Sequence, residues 1–320
     1  MNFRPPLALA MTVALCGAAS AAPPHRPAKV APAAPAPEAS APSAPVDLAF
    51  GAYQRGDYAG AMKQAQARVA ANPADAPALT LIGQLYAEGA GVARDRKQAL
   101  AWFRKGADAG NREAAYFYGA AALIGAGVPK DRAAAKAYLE KAAAQEHGAA
   151  LNLLGEMALD NNGVVPDFAA ALGYFRRGAA AGDADAQYAL GELYKNGKGV
   201  EKDAKAAAEQ FRLAGDNGHL AALVELGLMT FNGVAVGKDE AAAAALFRKA
   251  ALKGNAVAAN RLAYLLAEGR GAERNLAEAA QWRDAAVAAG LVDARLDVLI
   301  GAPPKAPAAP AGAGEKPKAP

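Results

Sequence analysis

The sequence is poor in the residues on which most protein chemistry depends. Its 320 residues include one cysteine, Cys16, and three histidines, His25, His147 and His219. A single thiol excludes an internal disulfide framework and cysteine-based metal clusters. No His/Cys/carboxylate set has metal-ligand spacing, so neither a metal nor another cofactor is expected. No Gly-x-Ser-x-Gly elbow occurs, and Asp183 and Asp185 fall at a predicted helix start, where capping and the helix dipole explain them. With nothing that assembles a catalytic centre, the sequence reads as non-enzymatic.

Charge of one sign is also missing from the body of the chain. The protein has 35 basic and 31 acidic residues. Setting aside Arg4, Arg26, Lys29 and Glu38 at the front and Lys305, Lys316, Lys318 and Glu315 at the end leaves 29 of each in 47–301. A neutral body excludes the basic face that nucleic-acid binding requires. Long hydrophobic runs are absent too. The longest, Leu7 to about Ala19, follows Arg4 and ends in Ala19-Ser20-Ala21, which predicts a secretory signal peptide over 1–21 cleaved after Ala21. That run is short for a membrane span, so no span is expected after cleavage. Leu15 before Cys16 is the wrong residue for lipidation, and the expected location is periplasmic or secreted. The Ala/Pro-rich stretches 22–46 and 302–320 lack large apolar residues and predict disordered tethers, the basic ones making weak contact with anionic envelope polymers.

What the chain does contain is repetition. Residues 191–203 read GELYKNGKGVEKD, a glycine-rich stretch around Lys198 that invites comparison with a phosphate-binding loop. Five residues separate Gly191 from Gly197 where the motif needs four, and Gly199 replaces its Ser/Thr. The stretch recurs every 36 residues instead. Gly83, Gly119, Gly155, Gly191 and Gly227 keep one register, followed by Asp95, Asp131, Asp167, Asp203 and Asp239, with Ala263 and Asn275 in a sixth copy. Val92, Val128, Val164, Val200 and Val236 fill another column, and alanine fills 99, 135, 171, 207, 243 and 279. A fixed period of this size marks a stacked array. Apolar spacing predicts a helix A before each loop, ended by glycines such as Gly197 and Gly199 in the left-handed conformation. The aspartate is placed to cap a helix B, with Gln98 at capping-box distance from Asp95. Small residues at Gly191 and Ala207 let the two helices approach. Helix B ends at Gly110, Gly182, Gly218, Gly254 and Gly290, with Glu146 the exception. Each unit is thus an αα-hairpin whose apolar face only its neighbours can bury.

The pattern A-x-x-x-L-G-x-L-Y-x-x-G-x-G-V-x-x-D-x-x-x-A resembles the Sel1-like repeat, carried by Ala186, Leu190, Gly191, Leu193, Tyr194, Gly197, Gly199, Val200, Asp203 and Ala207. Trp102, Lys105, Ala107 and Gly110 match its second half. Six copies cover 76–290, and 291–301 reads as a capping helix. Residues 47–75 resemble one degenerate tetratricopeptide-like helical pair through Gly56, Asp57, Tyr58, Ala61 and Pro73. The resemblance implies an all-α, right-handed α-solenoid that binds a protein or peptide on a concave helix A face, without shared catalytic residues. Disulfide-bearing relatives linked to β-lactam binding differ from this chain, which has no cysteine in any repeat. An envelope hydrolase or β-lactam-binding protein, and a peptidoglycan-associated structural protein with threading tails, remain the alternatives.

Trp102 and Trp282 share the helix B aromatic position and are expected to pack between repeats. By analogy with tetratricopeptide grooves, the binding residues are expected among Gln84, Glu88, Tyr116, Asn152, Glu156, Tyr188, Glu192, Lys195, Asn196, Phe231, Asn232, Asn260, Tyr264 and Glu268. Aromatics interleaved with Asn and Glu suit a groove that holds a peptide backbone while stacking apolar side chains.

Overall fold

The computed structural model describes residues 47–301, so the expected signal peptide, linker and tail lie outside the described residues. These residues form fifteen α-helices and a short 3-10 turn at Asn161–Gly163, with no strand among them. The architecture is an α-solenoid of stacked helical hairpins, arranged in two compact units that divide after Ala142.

The first unit opens with α1 (Leu48–Gln54) and α2 (Tyr58–Ala71), the helical pair that precedes the repeats. Helices α3 (Ala76–Glu88), α4 (Arg96–Asp108), α5 (Arg112–Ile124) and α6 (Arg132–Ala143) follow. The second unit holds α7 (Gly148–Asp160), α8 (Phe168–Ala180), α9 (Ala184–Asn196), α10 (Ala204–Asp216), α11 (Leu220–Asn232), α12 (Glu240–Ala251), α13 (Ala256–Glu268), α14 (Leu276–Ala288) and α15 (Ala294–Ile300).

The helix boundaries follow from side chains at fixed places in the period. Asp95, Asp131, Asp167, Asp203, Asp239 and Asn275 each accept the N–H three residues on, at 2.8–3.0 Å, and start helix B. Asp75, Asn111, His147, Asp183, His219 and Asn255 do the same for helix A at 2.8–3.2 Å. The expected capping box at Asp95 and Gln98 does not close. The Asp95 N–H donates instead to the Tyr86 carbonyl at 3.0 Å. The equivalent N–H of every copy reaches back to helix A in the same way, at 2.9–3.0 Å. The loop is therefore fastened to the helix it leaves.

Gly197 and Gly199 take φ of 66° and 71°, as the chain reversal requires. The second also brings two hairpins together, since a Cβ there would lie 2.6 Å from the Phe168 Cβ. Glu146 adopts φ 53° where the other copies place glycine, at a cost of about 1 kcal/mol.

The first glycine of the period lets helices A and B approach, and the side chain that fills the contact comes from helix B. A Cβ on Gly191 would meet the Phe211 ring at 2.6 Å, ahead of any atom of Ala207. Phe103, Phe175 and Phe247 cover Gly83, Gly155 and Gly227 in the same way, and Leu139 covers Gly119. The four phenyl rings are the largest fully buried side chains among the described residues. The alanine column beside them is 0–2 % exposed throughout. Trp102 and Trp282 are half-buried against the adjoining core clusters, as packing residues should be.

The sixth copy departs most in its core. Position 283 carries arginine where the others carry Phe or Leu, and Ala263 replaces the glycine beneath it. Arg283 is 4 % exposed and its Nη1 lies 3.4 Å from Oδ1 of Asp297, which is 3 % exposed in α15. The array thus ends with a charged pair where its interior has phenyl rings.

Candidate functional site

The helix A face of the second unit gathers a polar and aromatic surface on α7, α9 and α11. On α7, Asn152 is buried and donates through Nδ2 to Glu156 Oε1 at 3.1 Å. Glu156 reaches water, yet surrounding protein displaces enough of it to raise its carboxyl pKa, with Asp185 and Asp183 adding to the effect. Asp183 caps α9 through the Ala186 N–H at 2.8 Å. Burial raises its pKa too, reinforced by Asp185.

On α9, the half-buried Tyr188 ring stacks on the His219 imidazole, with centroids 4.2 Å apart and planes 19° from parallel. Its other neighbour is Phe211, at 5.7 Å. Burial, then the Glu192 and Glu225 carboxylates, push the Tyr188 hydroxyl up to about 12. Two turns along, Lys195 bridges Glu192 and Glu225, the latter at 2.9 Å. Burial opposes the Lys195 charge, but the two carboxylates outweigh it and raise its pKa.

His219 does three things at once. It caps α11 by accepting the Ala222 N–H on Nδ1 at 3.1 Å, it stacks on Tyr188, and its Nε2 lies 3.5 Å from Asp185. An accepting Nδ1 must be unprotonated, and burial lowers the pKa further, against the pull of Asp185. The unfolded chain therefore binds this proton more readily than the folded one. The stability it contributes is complete above about pH 6.5, the ordinary histidine value, and is lost as pH falls from there toward the lowered folded value. Denaturant unfolding between pH 7.5 and 5 is expected to show this loss in wild type and a flatter profile in His219→Asn. Asparagine caps helix A at Asn111 and Asn255, so the variant keeps the cap and removes the proton. Equal slopes would refute this role for His219.

Of the fourteen groove residues expected from sequence, Asn152, Glu156, Tyr188, Glu192 and Lys195 come together on this face. Others are engaged elsewhere. Asn260 and Tyr264 donate to Asp293 ahead of α15, at 3.0 and 3.1 Å. The Arg270 guanidinium lies over the Phe231 ring at 4.3 Å and also approaches Glu268 at 3.6 Å. Asn196 and Asn232 bond to carbonyls of their own helices. In the first unit, Glu88 accepts from the Tyr53 hydroxyl at 2.9 Å, while Gln84 and Tyr116 are half-buried on α3 and α5. Sequence reasoning missed Asp183, Asp185, His219 and Glu225 as members of the surface. The 36-residue column shared by Asp183, His219 and Asn255 was the available signal.

No group of His, Cys, Asp or Glu among the described residues could hold a metal, and no described helix is long and apolar enough to cross a membrane. Hairpins stacked through glycine–phenyl contacts, with a varied helix A face, define a repeat protein of the α-solenoid class. The Sel1 repeat family model matches residues 76–111, 112–147, 148–183, 184–219, 220–255 and 256–290. The chain belongs to the Sel1 repeat family, whose members generally act as protein-interaction scaffolds and not as enzymes.

Two solved structures are among those similar to this chain. One is a protective antigen of uropathogenic Escherichia coli with an SLR fold, at 29% identity and TM-score 0.67, covering 75% of this chain and 50% of that one. The chain thus spans half the length of that antigen. The other is a Sel1 repeat protein from Oxalobacter formigenes, at 26% identity and TM-score 0.66, covering 74% and 94%. No curated protein matches the chain.

Proposed function

We propose that this protein is a non-catalytic scaffold of the bacterial cell envelope that binds a protein or peptide partner on the helix A face of α7, α9 and α11. The carrying observation is the Tyr188–His219 stack set beside water-accessible but crowded carboxylates. Those positions are free to vary in the repeat pattern, whereas the packing positions recur. Preorganised helices limit the entropy that binding must overcome. The envelope assignment rests on the signal-peptide reading of residues 1–21.

In-cell crosslinking tests this. Partner capture by wild type should be lost in Tyr188→Ala and in Asp185→Lys, and retained in Arg212→Ala on helix B, with all variants first confirmed to fold. Capture that survives both face variants, or fails equally in the helix B variant, would refute the helix A assignment.

A further inference from the structure

We infer that the first unit binds a peptide of a separate protein by taking one leucine-sized side chain, flanked by an aspartate or glutamate, into an apolar cavity between α4 and α5. This site is additional to the helix A face of α7, α9 and α11, all of which belong to the second unit. One column of the repeat explains why the cavity exists. Two residues after the first position of the period, five copies carry Leu85, Met157, Leu193, Met229 and Leu265, all 0–7 % exposed, but the second copy carries Ala121. The missing side chain leaves a cavity of about 100 Å³ between Leu100 and Phe103 of α4 and Ala121 and Ile124 of α5. Phe117 stacks on Phe103, with centroids 5.0 Å apart, and walls one side. Ala121 is only half-buried and Ile124 is 40 % exposed, so the cavity opens to solvent. An apolar cavity of about 150 Å³ accommodates benzene, and this smaller one suits a single aliphatic side chain. Leucine and methionine are what the other copies bury at this place, which identifies the shape that completes the packing.

Charge at the mouth identifies the residue beside that side chain. Arg96 is exposed and lines the cavity, its stem lying so close to Gly127 that a Cβ there would meet its Cγ and Cδ at 3.0 Å. Among the described residues Arg96 has no carboxylate partner, and neither do its neighbours Arg94 and Lys97. Asp95, the one acid in that run, is committed to capping α4 through the Gln98 N–H at 3.0 Å. Elsewhere in the same unit, Arg68 is met by Asp47 at 2.6 Å and by Asp75 at 2.9 Å. A carboxylate next to the entering side chain supplies the partner that Arg96 lacks. The stretches 22–46 and 302–320 contain no leucine, isoleucine, methionine or phenylalanine, which leaves another protein as the source.

The test is selection from a displayed random octapeptide library with the full chain as bait. Wild type should enrich leucine or methionine close to an aspartate or glutamate. A selected peptide should lose about thirtyfold in affinity when its own leucine or methionine becomes alanine. Against Arg96→Glu it should lose about fivefold. Ala121→Leu restores the column residue, so it should raise the urea midpoint of unfolding and abolish binding together. Lost binding in a more stable chain cannot come from misfolding. If leucine overpacks the site and lowers the midpoint, Ile124→Glu, at an exposed position on the mouth, carries the test in its place. Peptides that bind these variants as well as wild type would overturn the inference, as would enrichment without an acidic preference. Peptide binding lost in Tyr188→Ala would belong to the second unit, overturning this inference and leaving the proposed function standing. If wild type sediments as a dimer and Ala121→Leu as a monomer, a second molecule of this chain is the occupant and the assignment to a separate protein falls.

Discussion

Phe211→Ala is expected to lower the unfolding free energy by about 3–5 kcal/mol in urea titration, the range for deleting a fully buried aromatic ring. Phe211 is 0 % exposed and its ring lies directly on the Gly191 backbone. The converse change, Gly191→Ala, should cost about 1–3 kcal/mol, because a methyl group placed 2.6 Å from a buried ring forces one of them to move. The two effects are coupled in a way that exposes their cause. Once Phe211 is alanine, the three nearest obstacles to a methyl at position 191 are gone, since all are Phe211 ring atoms. In that background Gly191→Ala should become neutral or stabilising, by up to about 1 kcal/mol from helix propensity. Additive costs in the double variant would mean that glycine is required there for some other reason.

Asp297→Ala should be the most damaging single change at the C-terminal end of the array. It leaves the Arg283 guanidinium, 4 % exposed, with only the half-exposed Asp284 carboxylate at 3.2 Å as a partner. Removing one member of a buried pair costs about 3–5 kcal/mol. The lower end applies here, because α15 is only seven residues long and can lift away to let water reach the arginine. Amide exchange should therefore accelerate across α15 before the rest of the second unit responds. Arg283→Phe/Ala263→Gly/Asp297→Leu rebuilds the interior arrangement of the other copies, and it should recover most of the loss. Failure of the triple variant to exceed Asp297→Ala would show that the charged pair is not interchangeable with the phenyl–glycine contact.

These changes also show where sequence reasoning stopped. The repeat itself was legible because each recurring residue answers a local need. An aspartate caps the helix that begins beside it, and a glycine adopts φ that other residues avoid. Such requirements are met within a few residues along the chain. The Phe211 contact was not legible as a contact, although the ring recurs in four of the six copies, because the Gly191 neighbour could equally have been the alanine column. Only the rotation of helix B about its axis decides which side chain faces the glycine.

The candidate surface divides along the same line. Tyr188, Glu156 and Lys195 were reachable from helical offsets, since residues three and four apart share a face. Tyr264 and Asn260 have the same offsets but are held by Asp293, because the last helix of the array folds onto them. His219 gained a place because the start of α11 lies beside the middle of α9, a juxtaposition set by the stacking of hairpins. The sequence by itself determined the repeat, its period and its helix ends, all of which depend on local backbone chemistry. The tertiary structure alone decided which polar side chains remain open to solvent and which are consumed by the neighbouring hairpin, because that depends on how one hairpin rests on the next.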